Sequence, residues 1–261
     1  MIESLHSPHI ARVKALIGSK GAKERREQGL FIAEGVQCAR EALSSTHGPE
    51  LKILYATESG LAKISELNLN DVEIVEVSEA VMKAMSDTVT PQGLISLCYK
   101  PESDISELIA SGKSTFIYLH QIQDPGNAGT ILRTADAMGI SAVITSPDSV
   151  DMYSPKVVRS TAGSLWHLPV YESVDFAQLD NQFPTVQKFL LSSHAKTSIL
   201  DLSISGDCIA IFGNEARGVS ISDLGAAVTE ITIPMAGRAE SLNLSAAASI
   251  VMFTLSTKVA G

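Results

Sequence analysis

Two runs of short apolar segments that alternate with helical segments constrain the fold of this chain most strongly. The first run contains the strand-like stretches LFIAEG, LKILYAT, VEIVEVS and GLISLCY, separated by VQCAREALS, LAKISEL and VMKAMS. The second run begins with TFIYLHQI, an unbroken apolar stretch that is typical of a strand buried in a parallel sheet. Strands that alternate with helices predict an α/β fold in both halves of the chain.

A polar stretch at about residues 99–114, YKPESDISELIASGKS, lies between the two runs. The chain has 261 residues, which is enough to bury two separate cores. We therefore expect two domains, residues 1–105 and residues 112–261. Before the first strand, Ser7 and Pro8 predict the cap and first position of an amphipathic helix.

The charge of the chain is acidic overall but basic at one end. A formal charge of −9 argues against a general nucleic-acid coat protein, whose surface would be basic. Residues 1–28 nevertheless hold six basic side chains against three acidic ones. This segment is either a solvated helix face or a basic arm that contacts phosphates. In the second case the candidate contacts are Arg12, Lys23, Arg25 and Arg26.

The cysteines and the apolar windows exclude several classes of protein. Cys38, Cys98 and Cys208 stand far apart, without a CxxC pair, and their odd number fits neither a disulfide framework nor a zinc site. We expect buried reduced thiols and no metal. The most apolar window, residues 242–255, is interrupted by polar residues and is too short for a membrane helix. We therefore expect a cytoplasmic protein without a membrane segment.

Three loops follow predicted strands, where open α/β sheets bind their ligands. They are QDPGNAGTILRTA at residues 123–135, IFGNEARG at 211–218 and IPMAGRAESLNLSAA at 233–247. Neither GxGxxG nor GxxxxGK[ST] occurs in them, which excludes the usual dinucleotide and P-loop motifs. Taken singly, their polar residues have ordinary interpretations as helix caps, surface charges or partners of a helix dipole. These residues are Asn127, Arg133, Glu215, Ser241 and Asn243.

Taken together and in this order, the three stretches closely resemble the signature motifs of the SpoU (TrmH-like) ribose 2′-O-methyltransferases, in the SPOUT superfamily. The resemblance covers about residues 114–258 and includes SPKVVRSTAGSLWHLPV between the first and second motifs. Leu244 stands where the family more often has Val. In the first half, GLFIAEGVQCAREAL is similar, more loosely, to the small substrate-binding domain that many of these enzymes carry.

The resemblance implies a C-terminal SPOUT domain with a parallel sheet and a deep trefoil knot that binds S-adenosylmethionine. A small α/β domain like certain ribosomal proteins would precede it and bind RNA. The residues implied for the cofactor pocket are Gly213, Ile233, Met235 and Leu242. Arg133 would be the central catalytic residue, and Asn127, Glu215, Ser241 and Asn243 would hold it, the ribose and the knot.

The family also implies a homodimer, structured RNA as substrate and no metal. The separate N-terminal module and the lack of a long basic C-terminal extension favour ribosomal RNA over tRNA. Two other interpretations stay open: a non-catalytic RNA-binding knot protein and a SPOUT enzyme that methylates a base nitrogen. For Arg133 we favour binding of phosphate and stabilisation of an oxyanion, because a guanidinium with a pKa above about 12 is a poor base.

Overall fold

The computed structural model describes residues 1–224 and 228–259. The strands are β1 (Leu30–Glu34), β2 (Leu51–Ala56), β3 (Ile74–Glu76), β4 (Leu94–Tyr99), β5 (Thr115–Leu119), β6 (Ala142–Thr145), β7 (Val170–Tyr171), β8 (Gln187–Leu191), β9 (Thr197–Ser198), β10 (Cys208–Phe212) and β11 (Thr229–Thr232). The helices are α1 (Pro8–Ile17), α2 (Gly21–Gln28), α3 (Val36–Ser44), α4 (Glu58–Leu61), α5 (Glu79–Met85), α6 (Pro125–Ala137), α7 (Pro155–Thr161), α8 (Phe176–Gln182), α9 (Ile221–Leu224) and α10 (Leu244–Val259).

The chain divides into two compact units. The first unit contains Met1–Glu102 and Asp151–His167, and the second contains Ser103–Val150 and Leu168–Gly261. The four-stranded sheet of the first unit has the order β1-β4-β2-β3, in which β4 is antiparallel to β1 and β2 while β3 is parallel to β2. The predicted alternation of strands and helices is confirmed in this unit, and the sheet is mixed.

Successive side chains of the first sheet point to opposite faces, and each face has its own core. Ile53 and Tyr55 of β2 pack in a cluster with residues of α1 and α5. Leu54 and Ala56 of the same strand pack in a second cluster that includes Ala39 of α3. The predicted cap of α1 is also confirmed, since the Ser7 hydroxyl accepts a hydrogen bond from the His9 N–H at 3.3 Å.

Residues 151–167 belong to the first unit, although the sequence analysis places them in the second predicted domain. Trp166 is buried, and its indole N–H donates to the Pro49 carbonyl at 3.0 Å. On α7, Arg159 donates to the Asp87 carboxylate at 2.9 Å. Burial of a large aromatic residue and an ion pair explain why this segment packs with the first unit.

The second unit contains a seven-stranded sheet with the order β7-β6-β5-β10-β8-β11-β9. All neighbouring pairs in it are parallel, as the sequence predicts. Because the strands are parallel, the loops that follow β5, β8, β10 and β11 leave the same edge of the sheet. The trefoil knot stays a prediction, and the short strands β7 and β9 and helix α8 were not predicted.

Helix α10 packs with only one of its faces against the rest of the second unit. It buries Ala247, Ala248, Val251, Met252 and Leu255, and Ser249 lies 3.4 Å from Thr134 of α6. On its other face Ala246 is exposed, and Ile250 and Phe253 are 40% and 58% exposed. Among the helices of residues 1–224 and 228–259, none combines the length and the apolar composition that a membrane-spanning segment requires.

Candidate active site

A cavity of about 620 Å³ opens at the edge of the second sheet where the parallel strands end. Segments that follow β8, β10 and β11, together with the first turns of α6 and α10, line it. Eight residues singled out in the sequence analysis are among its lining: Asn127, Gly213, Glu215, Ile233, Met235, Ser241, Leu242 and Asn243. The structure thus brings residues from three separate loops to one cavity.

Asn127 lies inside the first turn of α6 and is not its cap. The cap is Asp124, whose carboxylate accepts the Asn127 N–H at 2.7 Å, and Pro125 follows as the first helical residue. The Asn127 side chain is therefore free to bind elsewhere. Its amide group donates to the Glu215 carboxylate at 3.3 Å, and its carbonyl oxygen accepts from Asn243 at 3.1 Å.

Glu215 joins the second loop to the start of α6. Its carboxylate accepts the backbone N–H groups of Gln123 at 3.2 Å and Asp124 at 3.1 Å, in addition to the Asn127 amide. A negative charge at this position is favoured by the partial positive charge at the beginning of a helix. The Glu215 carboxylate therefore connects the second motif loop to α6, the helix that begins in the first motif stretch.

Asn243 has two roles at the beginning of α10. Its carbonyl oxygen accepts the N–H groups of Ser245 at 2.9 Å and Ala246 at 3.3 Å, which caps the helix. Its amide group donates to Asn127. Ser241 is exposed at the cavity and has no hydrogen bond to any other described residue.

The 213–218 loop is closed by its own side chains. The side-chain carbonyl oxygen of Asn214 accepts the N–H groups of Ala216 at 3.0 Å and Arg217 at 3.1 Å. A Cβ atom on Gly213 would lie 2.5 Å from the Gly218 carbonyl carbon and 2.6 Å from the Val219 nitrogen. Gly213, which the resemblance implies for the cofactor pocket, is therefore required for the close packing of this loop on itself.

Arg133 is the one candidate catalytic residue that does not reach the cavity. It lies on α6 six residues after Asn127, which places it on a different face of the helix. Its side chain is exposed and forms no hydrogen bond or ion pair within residues 1–224 and 228–259. The structure therefore separates Arg133 from the Asn127, Glu215 and Asn243 network of its own chain.

The four candidate phosphate contacts differ in exposure. Arg12, Lys23 and Arg26 are exposed. Arg25 is only 4% exposed, because its guanidinium pairs with the Asp151 carboxylate at 2.7 Å and also donates to the Leu16 carbonyl. A buried, paired guanidinium cannot contact an RNA backbone, so the structure removes Arg25 from this set.

Several residues at the cavity were missed by the sequence analysis. Ser192, Ser193 and His194 follow β8 and line the cavity, but none of them is among the predicted site residues. Their position after a parallel strand was the available signal. Arg217 also lines the cavity, and Gln121 contacts the same loop through Asn214.

Known proteins resemble this chain over nearly its full length. Residues 114–253 match the model of the SpoU rRNA Methylase family, and residues 8–96 match the MRM3-like substrate binding domain. The 23S rRNA (guanosine(2553)-2′-O)-methyltransferase RlmP of Bacillus subtilis is 31% identical over 89% of this chain and 91% of its own length. The 23S rRNA (uridine(2479)-2′-O)-methyltransferase of Streptomyces viridochromogenes is 27% identical over 92% and 86%.

A solved structure agrees with these matches. The AdoMet-bound rRNA methyltransferase from Sinorhizobium meliloti superimposes with a TM-score of 0.85, at 27% identity, over 97% of this chain and 96% of its own. The fold, the motif loops and the match over more than half of the sequence agree: this chain belongs to the SpoU rRNA methylase family.

Proposed function

We propose that this protein transfers the methyl group of S-adenosylmethionine to the 2′-oxygen of a ribose in ribosomal RNA. The observation that carries the proposal is the bonded network of Asn127, Glu215 and Asn243 at the cavity, built from three motif loops. The names of the family and of the relatives support the reaction type.

The cavity fits the proposed methyl donor. Its volume of about 620 Å³ lies within the range of roughly 300–1,000 Å³ that is usual for small-molecule sites. Ile233, Met235 and Leu242 offer apolar contacts for an adenosyl group, and the loop that begins at Gly213 offers backbone groups. S-adenosylmethionine would supply a methyl group on a sulfonium, which is ready for attack by a ribose oxygen.

The protein would act mainly by positioning and by electrostatic stabilisation. Asn127 is hydrogen-bonded to both Glu215 and Asn243, so the remaining polar atoms of these side chains are oriented before a ribose arrives. Ser241 offers an exposed hydroxyl beside them. Arg133 would stabilise the negative charge that develops on the 2′-oxygen, since a guanidinium keeps its proton at neutral pH.

We propose further that the protein is a homodimer in which the partner's Arg133 completes each site. The exposed, unpaired position of Arg133 on α6 is consistent with this arrangement. Ile250 and Phe253 form an exposed apolar stripe on α10, the helix that packs against α6. Apolar side chains arranged on one exposed helix face are typical of an interface between copies.

The first unit would bind the RNA substrate, as its match to a substrate binding domain suggests. Arg12, Lys23 and Arg26 are the exposed basic residues proposed to contact phosphates there. One relative is named for a guanosine and another for a uridine, so relatives differ in the nucleotide that they modify. We keep the cytoplasm as the proposed location.

The test is transfer of label from tritiated S-adenosylmethionine to 23S rRNA transcribed in vitro, with transcribed tRNA in parallel. Nuclease digestion and mass spectrometry then locate the methyl group. We expect label on rRNA and a 2′-O-methylated nucleoside. Cofactor and RNA binding without transfer would instead support the non-catalytic interpretation, and a methyl group on a base nitrogen would contradict ribose methylation.

A further inference from the structure

Arg217 is a charged group at the cavity to which the sequence motifs assign no role. Of the described residues that line the cavity, it is the only lysine or arginine. Its side chain is exposed, and its guanidinium donates to the Gln121 side-chain carbonyl at 3.4 Å. This is a neutral partner, so the positive charge of Arg217 remains available to an anion.

The carboxylate of Glu215, two residues earlier in the same loop, does not form an ion pair with Arg217. Both Glu215 oxygens are engaged at the beginning of α6, by the N–H groups of Gln123 and Asp124 and by the Asn127 amide. Within the described residues, no carboxylate forms an ion pair with Arg217. One cavity therefore presents a carboxylate that is held at the beginning of α6 and a guanidinium that forms no ion pair with any described residue.

The backbone of Arg217 is held firmly. Its N–H donates to the side-chain carbonyl oxygen of Asn214 at 3.1 Å, and the side-chain amide group of Asn214 donates to the main-chain carbonyl of Gln121 at 2.8 Å. Gly218 closes the turn, because its N–H donates to the main-chain carbonyl of Asn214 at 2.8 Å. Asn214 thus links the main chain of Arg217 to the main chain of Gln121.

Gln121 is itself held in an uncommon conformation. Its φ of +51° lies in the left-handed region, which a residue with a Cβ adopts only at a cost. Its N–H donates to the Ser146 hydroxyl at 2.7 Å. In this conformation the main-chain carbonyl of Gln121 accepts a hydrogen bond from the Asn214 side chain, and its side-chain carbonyl accepts one from Arg217.

We propose that Arg217 binds a backbone phosphate of the RNA next to the target ribose, and that Gln121 positions its guanidinium. This inference rests on the proposed function and specifies how its substrate is held. A ribose within RNA carries a phosphate on each side, so bringing its 2′-oxygen to the cavity also brings phosphate oxygens to the rim. A planar guanidinium binds two such oxygens at once.

The cofactor offers a competing anion, the carboxylate of its methionine part. The exposure of the Arg217 side chain favours the RNA, because a polymer of this size binds at the protein surface. The two sources are distinguished by measuring S-adenosylmethionine affinity calorimetrically without RNA, and RNA affinity as a function of KCl concentration.

The first variant is Arg217→Gln, with Lys113→Gln as the matched control. Lys113 is an exposed cation that precedes β5 and does not line the cavity. For Arg217→Gln we expect unchanged cofactor affinity, RNA affinity weakened about tenfold or more, and a salt slope smaller in magnitude by about 0.7–0.9. Lys113→Gln should change none of these quantities.

The second variant is Gln121→Gly, because glycine adopts a φ near +51° without strain while the side-chain partner of Arg217 is removed. RNA affinity should fall by about threefold with an unchanged salt slope, since the cationic charge is still present. Circular dichroism and thermal melts verify that both variants are folded.

Cofactor affinity that falls in Arg217→Gln while the salt slope stays constant would assign Arg217 to the cofactor carboxylate and overturn the proposal. An unchanged slope together with unchanged cofactor affinity would overturn it as well. Wild-type transfer of label is measured in parallel. Its absence would contradict the proposed function, whereas an unchanged salt slope in an active Arg217→Gln enzyme contradicts only this inference.

Discussion

The Asn243 amide donates to the Asn127 carbonyl oxygen at 3.1 Å and thereby joins the beginnings of α10 and α6. The two residues are 116 positions apart in the sequence. The other end of the Asn243 side chain caps α10 through Ser245 and Ala246. An asparagine can make both contacts because its amide carries an acceptor and a donor group. The cap and the active-site contact are therefore made by one side chain.

Substitutions at Asn243 should separate these two roles. Asn243→Asp keeps the cap oxygen but loses the donor to Asn127, so the melting temperature should stay close to that of the wild type while turnover falls about five- to tenfold. Asn243→Ala loses both contacts and should also lose about 1 kcal/mol of folding free energy. Single-turnover transfer and urea unfolding measure the two effects. Full activity of Asn243→Asp would show that the contact with Asn127 is dispensable.

Two glycines in the 213–218 loop should respond differently to alanine. At Gly213 an added Cβ meets backbone atoms of Gly218 and Val219, so the loop must shift and cofactor affinity should fall at least tenfold. Gly218 has a φ of +65° with open space around it, so alanine there should cost only about 1–2 kcal/mol of backbone strain. Calorimetric titration with S-adenosylmethionine compares them. Equal affinities in the two folded variants would contradict this account.

Much of the site could be predicted from the sequence, because each site residue lies in a short stretch that is recognisable by itself. Apolar strands followed by polar loops at 123–135, 211–218 and 233–247 indicate ligand residues whatever the distance between them. Contacts between residues that are far apart in the sequence could not be predicted in this way. Arg25 lies in a charged segment whose composition is typical of a solvated helix. Only the structure shows that Asp151, 126 residues away, pairs with it. Likewise, Trp166 lies in a motif-like stretch, yet it packs with the first unit.

The neighbours Arg25 and Arg26 should therefore contribute to different properties. Arg25→Ala breaks a buried ion pair and should lower the free energy of unfolding by about 3 kcal/mol. Arg26→Ala, at an exposed position of the same helix, should leave stability within about 0.5 kcal/mol. Urea denaturation measures both.

Replacing Arg12, Lys23 and Arg26 together by Ala should weaken RNA binding and flatten its salt dependence. An unchanged salt slope in that triple variant would identify the segment as a solvated helix face.

His120, at the end of β5, should make the protein less stable in mild acid. Burial lowers the pKa of its imidazole below the ordinary 6.5, and the Asp223 carboxylate opposes this shift more weakly. The unfolded chain therefore binds a proton before the folded chain does, and stability falls as the pH drops below about 6.5. Between about pH 7.5 and 5.5, the melting temperature of His120→Gln should decrease less than that of the wild type. Identical losses would show that His120 does not contribute.

Substitutions of Arg133 test whether its guanidinium takes part in the reaction. Because Arg133 forms no hydrogen bond or ion pair with any described residue and does not line the cavity, Arg133→Ala should keep the fold and cofactor binding. Turnover should fall about a hundredfold or more if it stabilises charge on the reacting oxygen. Lysine should rescue poorly, because an ammonium lacks the planar fork that holds two oxygens. An alanine variant with near-full single-turnover activity would remove Arg133 from catalysis.

A mixture of two inactive variants tests whether Arg133 acts in the partner's site. In a dimer formed from one Arg133→Ala chain and one Asn127→Ala chain, sites completed by the partner give one doubly impaired site and one intact site. Random mixing produces such dimers half of the time, so about a quarter of wild-type activity should return. If Arg133 acts within its own chain, every site in the mixed dimer carries one lesion and no activity returns. Co-expression with two affinity tags isolates the mixed dimer, and its activity distinguishes the two arrangements directly.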